Sequence, residues 1–100
     1  MTAFEYKMRA RVWLYPGPAG WHFVTLPRKQ SEEIRALFAR SQRGWGSLPV
    51  IATVGKTSWK TSIFADKKSG AYVLPLKADI RKKEKVVLDH LIDFAVQIKP

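Results

Sequence analysis

Hydrophobic and polar positions alternate almost without a break from Phe4 to Tyr15: Phe4, Tyr6, Met8, Ala10, Val12 and Leu14 share one side, and Glu5, Lys7, Arg9 and Arg11 the other. A period of two over this length predicts a strand with one face buried. Pro16-Gly17-Pro18-Ala19-Gly20 cannot extend a ladder, because proline lacks the donor and glycine favours turns, so Trp21 to Leu26 is predicted to return beside it. Pro27 stops that strand. Ser31 followed by Glu32 and Glu33 reads as an N-cap with two carboxylates near the positive end of a helix dipole, and Ile34, Leu37 and Phe38 then share one helical face. Leu48 to Val54 is an apolar run of strand length, and Gly55-Lys56 joins it by a tight hairpin to a strand over Thr57 to Ala65, in which Trp59 shares the parity of Thr61 and Ile63 and is predicted to face inward. Asp66 to Gly70 is a second long turn, Ala71 to Leu74 a strand stopped by Pro75, and Lys77 to Glu84 a short helix. From His90, alternation of Ile92, Phe94, Val96 and Ile98 predicts the last strand.

These elements say the same thing twice. Leu14 to Gly20, then Phe23-Val24-x-Leu26-Pro27 and Ile34-Arg35, are echoed 46 to 50 positions later by Ile63 to Gly70, Tyr72-Val73-Leu74-Pro75 and Ile80-Arg81. Each copy is a ββαβ unit, with halves at about 4–54 and 57–98, and two such units wrap into one closed barrel of six main strands. The fold expected is therefore mainly β with two short helices, a single barrel domain over 1–100.

Charge changes the functional picture. Eighteen Lys and Arg stand against eight Asp and Glu, a formal net charge of +10, and the excess is spread over both halves instead of sitting in a basic tail. Such a domain attracts polyanions at long range, nucleic acid first among them, although the same balance also serves solubility. No cysteine is present, so stability comes from apolar burial, in which four Trp have a large share. No apolar run approaches the roughly 20 residues of a membrane span and no leader pattern opens the chain, so a soluble, cytoplasmic protein without membrane contact is expected, with a monomer favoured.

Candidate chemistry is sparse. The two histidines, His22 and His90, belong to no metal-ligand or nucleophile pattern; His22 shares parity with Val24 and Leu26 and reads as a packed, hydrogen-bonded residue, His90 as a turn residue. Glu32 and Glu33 are accounted for by helix capping. No catalytic residue, metal or cofactor is expected, and the domain reads as a non-enzyme. Four sets of residues are candidates for binding. Arg43 and Trp45, in Arg43-Gly44-Trp45-Gly46-Ser47, lack phosphate-loop spacing yet combine a cation, an aromatic face and flexible backbone, the parts of a stacking or small-anion site. Lys67 and Lys68 crown the turn Asp66 to Gly70, which is otherwise an ordinary turn held by Asp66 and Gly70 and the only basic one of the two long turns, so that the charge is expected to be one-sided. Lys7, Arg9 and Arg11 form a ladder with about 6.5 to 7 Å spacing, suited to phosphates and equally to protecting a strand edge. Lys77, Arg81 and Lys82, with Lys83 and Lys85, make the densest cluster, which is also the usual look of a solvated helix face. No recognition-helix pattern reads bases.

Three blocks in order, Trp21-His22-Phe23-Val24-x-Leu26-Pro27, Arg43-Gly44-Trp45-Gly46-Ser47 and Thr57-Ser58-Trp59 through Tyr72-x-Leu74-Pro75, resemble the bacterial family called domain of unknown function 1905, over about Phe4 to Ile98. The resemblance implies a double-split β-barrel, a pseudobarrel like that of the AbrB/MazE regulators and antitoxins, formed here within one chain. Relatives often carry a small helical domain of the bacteriocin-protection type after this one; these residues hold none, so the domain is expected to act alone or by docking such a helical partner. Many relatives place Gly-Asp before the last strand where this chain has Leu88-Asp89. The resemblance brings no catalytic residues with it.

Overall fold

The computed structural model describes residues 4–42 and 46–98. Alternation acts as expected over Phe4–Arg11 (β1), where Tyr6 and Met8 are buried and Glu5, Lys7 and Arg9 face out. At Val12 the chain changes neighbour: its N–H donates to the His90 carbonyl and its own carbonyl accepts from Asp89 N–H. Trp13–Leu14 (β2) then pairs with His22–Thr25 (β3). The single strand expected from Phe4 to Tyr15 is therefore two, and among the described residues the sheet has seven strands, not six. Leu14, expected inside, is 43% exposed because β2 runs beyond the core towards the turn.

The chain continues through Arg28–Phe38 (α1), a 3-10 turn at Ala39–Ser41, Ser47–Val54 (β4), Thr57–Ala65 (β5), Tyr72–Pro75 (β6), Ala78–Lys83 (α2) and Leu91–Ile98 (β7). All pairings are antiparallel, in the order β1-β7-β4-β5-β6-β3-β2. Since β1 and β2 are consecutive in the chain yet stand at opposite edges of that order, the sheet curls until its edges approach, and β1 touches β3. The concave side holds Tyr6, Met8, Val12, Val24, Leu26, Ile63, Leu74 and Val96 in one apolar core, against which Trp59 packs as its parity predicts.

The helices occupy opposite ends of the curl. α1 follows the end of β3, where Phe4 meets Phe38 edge-on at 5.3 Å and the Arg35 guanidinium donates to the Gly70 carbonyl. α2 follows the end of β6, where Glu84 accepts from the Thr57 hydroxyl at the β4–β5 hairpin.

Ser31 is not the N-cap. The helix begins directly after Pro27, which has no side-chain cap to offer, and Ser31 lies one turn in, 1% exposed. Its hydroxyl completes the β3–β6 ladder where Pro27 bends the chain away: Leu26 N–H donates to the Tyr72 carbonyl, and in place of the reciprocal bond Tyr72 N–H donates to Ser31 Oγ, which donates to the Leu26 carbonyl. The buried stripe of α1 is accordingly Ser31, Ile34 and Phe38, and Leu37, expected on it, is 54% exposed.

α2 ends with Lys85 in the left-handed region at φ 53, and Val86 N–H reaches back to the Arg81 carbonyl while the Val86 side chain packs on the core. This is a Schellman closure with lysine where glycine is preferred. Lys85→Gly is expected to raise stability by about 1 kcal/mol, since an L-residue in that conformation costs about 1–2 kcal/mol and glycine's extra unfolded-state freedom returns part of it. A lower denaturant midpoint for the variant would contradict this. The turn before β7, expected to form without a glycine because the chain has Leu88-Asp89 there, does so with Asp89 itself at φ 70, a conformation Asp tolerates better than most side chains.

Burial, reinforced by the Glu33 carboxylate, pushes the Tyr6 phenol from 10.0 up to about 12, although its hydroxyl makes no hydrogen bond of good geometry among the described residues. The fold thus favours the neutral phenol: that stability is complete below the ordinary value and is lost as pH climbs from about 10 towards 12. Tyr6→Phe is expected to make the alkaline limb of a stability-against-pH curve shallower without removing it, because burial also raises Tyr72. An identical limb in the variant would show that Tyr6 is not the titrating group.

Candidate functional site

The turn between β5 and β6 is a self-contained structure. Asp66 accepts from Lys68 N–H at 3.3 Å and from the Ser69 hydroxyl at 2.8 Å, Ser69 Oγ accepts from Ala71 N–H, and Gly70 takes φ 74. The Ser69 hydrogen bond is the main reason the Asp66 carboxyl is held below its ordinary range. Lys67 and Lys68 take no part in this scaffold beyond a backbone N–H and project from it exposed. Behind the turn lies a cleft of about 400 Å³ lined by Thr25, Arg28, Glu32, Arg35, Ser69 and Gly70. Arg35 is committed there to the Gly70 carbonyl and to the Tyr72 ring, 5.6 Å from its centroid, and Glu32 offsets Arg28, so the cleft is less suited to an anion than the turn above it.

The ladder on β1 is partly spoken for. Register sets Arg9 opposite Asp93, and the guanidinium meets the carboxylate at 2.7 Å, holding Asp93 below the ordinary carboxylate range. Arg11 donates to the Asp89 carbonyl, which leaves its charge uncompensated, and Lys7 lies opposite Ala95. On α2, Arg81 Nε donates to the Leu76 carbonyl at 3.1 Å, and Lys77 and Lys82 are exposed. Arg43 and Trp45 lie outside the described residues.

Register decides which candidates come together. β3 and β6 run antiparallel with Val24 opposite Leu74, so the Asp66–Gly70 turn stands at the α1 end and the Pro16–Gly20 turn at the α2 end. The expected one-sided charge is corrected by this: Lys67 and Lys68 serve one end, but α2 carries Lys77, Arg81 and Lys82 to the other.

That second end holds a feature that the sequence reading missed. Trp13, Tyr15, Trp21 and Phe23 lie side by side on the convex face of the β2–β3 hairpin, with ring centroids 5.2 Å apart for Trp13 and Phe23, 6.2 Å for Trp21 and Phe23 stacked at 14°, and 6.5 Å for Trp13 and Tyr15. Trp13 Nε1–H is fixed on the Thr25 hydroxyl at 2.9 Å, whereas Tyr15 and Trp21 are each 56% exposed. The signal was present as Trp13-x-Tyr15 and Trp21-x-Phe23 flanking the turn, in line with Lys7, Arg9 and Arg11 on the outer parity. His22, between Trp21 and Phe23 in the chain, is half-buried and its Nδ1–H donates to the Gly20 carbonyl at 2.8 Å, the packed role expected of it.

Among the described residues, no helix is long and apolar enough to cross a membrane. No curated protein matches the chain. The family model described as Domain of unknown function (DUF1905) matches residues 9–96, nearly the whole curled sheet with both helices, and the chain belongs to that family.

Proposed function

We propose that the domain is a non-enzymatic binder of nucleic acid that holds the phosphate backbone with little regard to base identity. The observation that carries this reading is the uncompensated charge: the net +10 stands whatever pairs form within the fold, and since the Arg9–Asp93 pair is the one ion pair among the described residues, the other described cations have no carboxylate bound to them. Cations without a partner in the fold at both ends of the curl supply the sequence-independent attraction that phosphate binding needs. The accompanying fold reading is a double-split barrel of two ββαβ copies. It is supported by a pairing scheme unchanged when the halves are exchanged: β1 and β2 pair with β7 and β3 as β5 pairs with β4 and β6, and β3–β6 and β4–β7 each pair a strand with its own counterpart.

Fluorescence anisotropy with labelled duplex and single strand over a salt series tests the proposal. The log of affinity should fall linearly with the log of salt, by about 0.9 per phosphate contact on duplex and about 0.7 on single strand. Absence of binding to either at low salt sinks it. A second reading, docking of a helical protein partner, draws on the exposed Val87, Leu88 and Leu91 around the entry to β7. Salt-insensitive association with such a partner would favour it.

A further inference from the structure

The aromatic hairpin has no role in the fold that explains its exposure. Val12, Val24 and Leu26 already fill the concave side at β2 and β3, while Tyr15 and Trp21 put large rings into solvent on the other. The exposed aliphatic residues Val87 and Leu88 lie elsewhere, around the entry to β7. This face has instead four rings, two of them stacked nearly parallel, set beside cations. The β3–β6 ladder extends past its last strand pair through the hydrogen bond from Leu76 N–H to the His22 carbonyl, which brings Lys77 level with Trp21. Lys77 opens α2, whose last turn carries Arg81, Lys82 and Lys83.

We propose that Trp13, Tyr15, Trp21 and Phe23 form a stacking platform for unpaired bases, with Lys77 and the α2 cations holding the adjoining phosphates, so that the preferred ligand is single-stranded nucleic acid. This rests on the phosphate-binding reading above and adds the substrate class. Base-on-ring stacking tolerates any sequence, because every base has a π-face, which agrees with the lack of a base-reading helix. The platform is preorganised: Trp13 is pinned by Thr25, Phe23 is packed against it, and Tyr15 N–H closes the hairpin on the Trp21 carbonyl at 2.8 Å. Duplex DNA buries its base faces and cannot use it.

The test is titration with a short oligo-dT strand and with a duplex of equal length at matched salt, read by anisotropy and by tryptophan fluorescence. The strand should bind more tightly and quench the fluorescence. Trp21→Ala should weaken strand binding about tenfold, given stacking contributions of about 1–3 kcal/mol per base, with the salt slope, duplex affinity and melting temperature unmoved. Trp21→Phe should restore most of it, and Tyr15→Ala gives an independent second probe. If both alanine variants bind the strand as the unaltered domain does, with the steep salt dependence intact, the platform is wrong and phosphate binding stands. If neither nucleic acid binds, both readings fall. If Trp21→Ala instead turns a dimer into a monomer in sedimentation, or abolishes a protein contact while strand binding persists, the face belongs to that contact and the proposal is overturned.

Discussion

Tyr72→Ala is expected to destabilise the domain by about 3–5 kcal/mol, the cost of truncating a fully buried aromatic and leaving a cavity that its neighbours cannot fill. Among the described residues Tyr72 is the largest side chain with no exposure, and its site is held from several directions. Its hydroxyl donates to Gln42 Oε1 at 2.6 Å, its ring lies under the Arg35 guanidinium, and its backbone meets Leu26 and Ser31. Alanine keeps the backbone bonds and loses the rest, including the contact through which Arg35 ties α1 to the sheet. Because a domain of this size shifts its melting temperature by about 4–8 °C per kcal/mol, the loss should exceed about 12 °C. Tyr72→Phe, which gives up only the Gln42 bond, should cost about 1 kcal/mol. A fall of a few degrees for the alanine variant would mean that Tyr72 is not a central strut of the core.

Period-two patterning carried most of the fold. Where a strand has one buried face from end to end, as in β7, the side chains declare both the element and its orientation, and Phe94, Val96 and Ile98 are buried as read. The failures fall where a backbone bond, not a side chain, decides. Alternation runs through Val12 without a mark because both strands that meet there face the same core; only the bonds to Asp89 and His90, far along the chain, split it. Ser31 misled for a related reason. A serine before two glutamates has the local form of a cap, whereas its role as the missing link between Leu26 and Tyr72 depends on a strand 41 residues away.

The candidate site was legible in parts and not in arrangement. Asp66, Ser69 and Gly70 build the turn their chemistry suggests, so Lys67 and Lys68 are presented as read. Charge counting could not foresee that Asp93 faces Arg9, since that depends on β1–β7 register. Nor did Trp13, Tyr15, Trp21 and Phe23 stand out, because aromatic residues in strands are usually core and their outward parity matters only once the core is seen to be full without them.

Lys67→Ala with Lys68→Ala is expected to cut affinity for nucleic acid about a hundredfold at about 50 mM salt, because each lost phosphate contact removes about 0.7 to 0.9 from the log-log salt slope and two contacts therefore about 1.4 to 1.8. The loss should be similar for unrelated sequences, since phosphate contacts position without specifying. Stability should scarcely change, because Asp66, Ser69 and Gly70 hold the turn without either lysine side chain. The turn lies at the α1 end and the aromatic hairpin at the α2 end, so this loss should add to that of Trp21→Ala instead of replacing it, as for independent sites. The two variants then differ in kind: the lysine pair flattens the salt slope, and the tryptophan lowers affinity at an unchanged slope. An unaltered slope in the lysine variant, with binding otherwise intact, would take the β5–β6 turn out of the interface and leave the α2 cations and Lys7 to carry the phosphates.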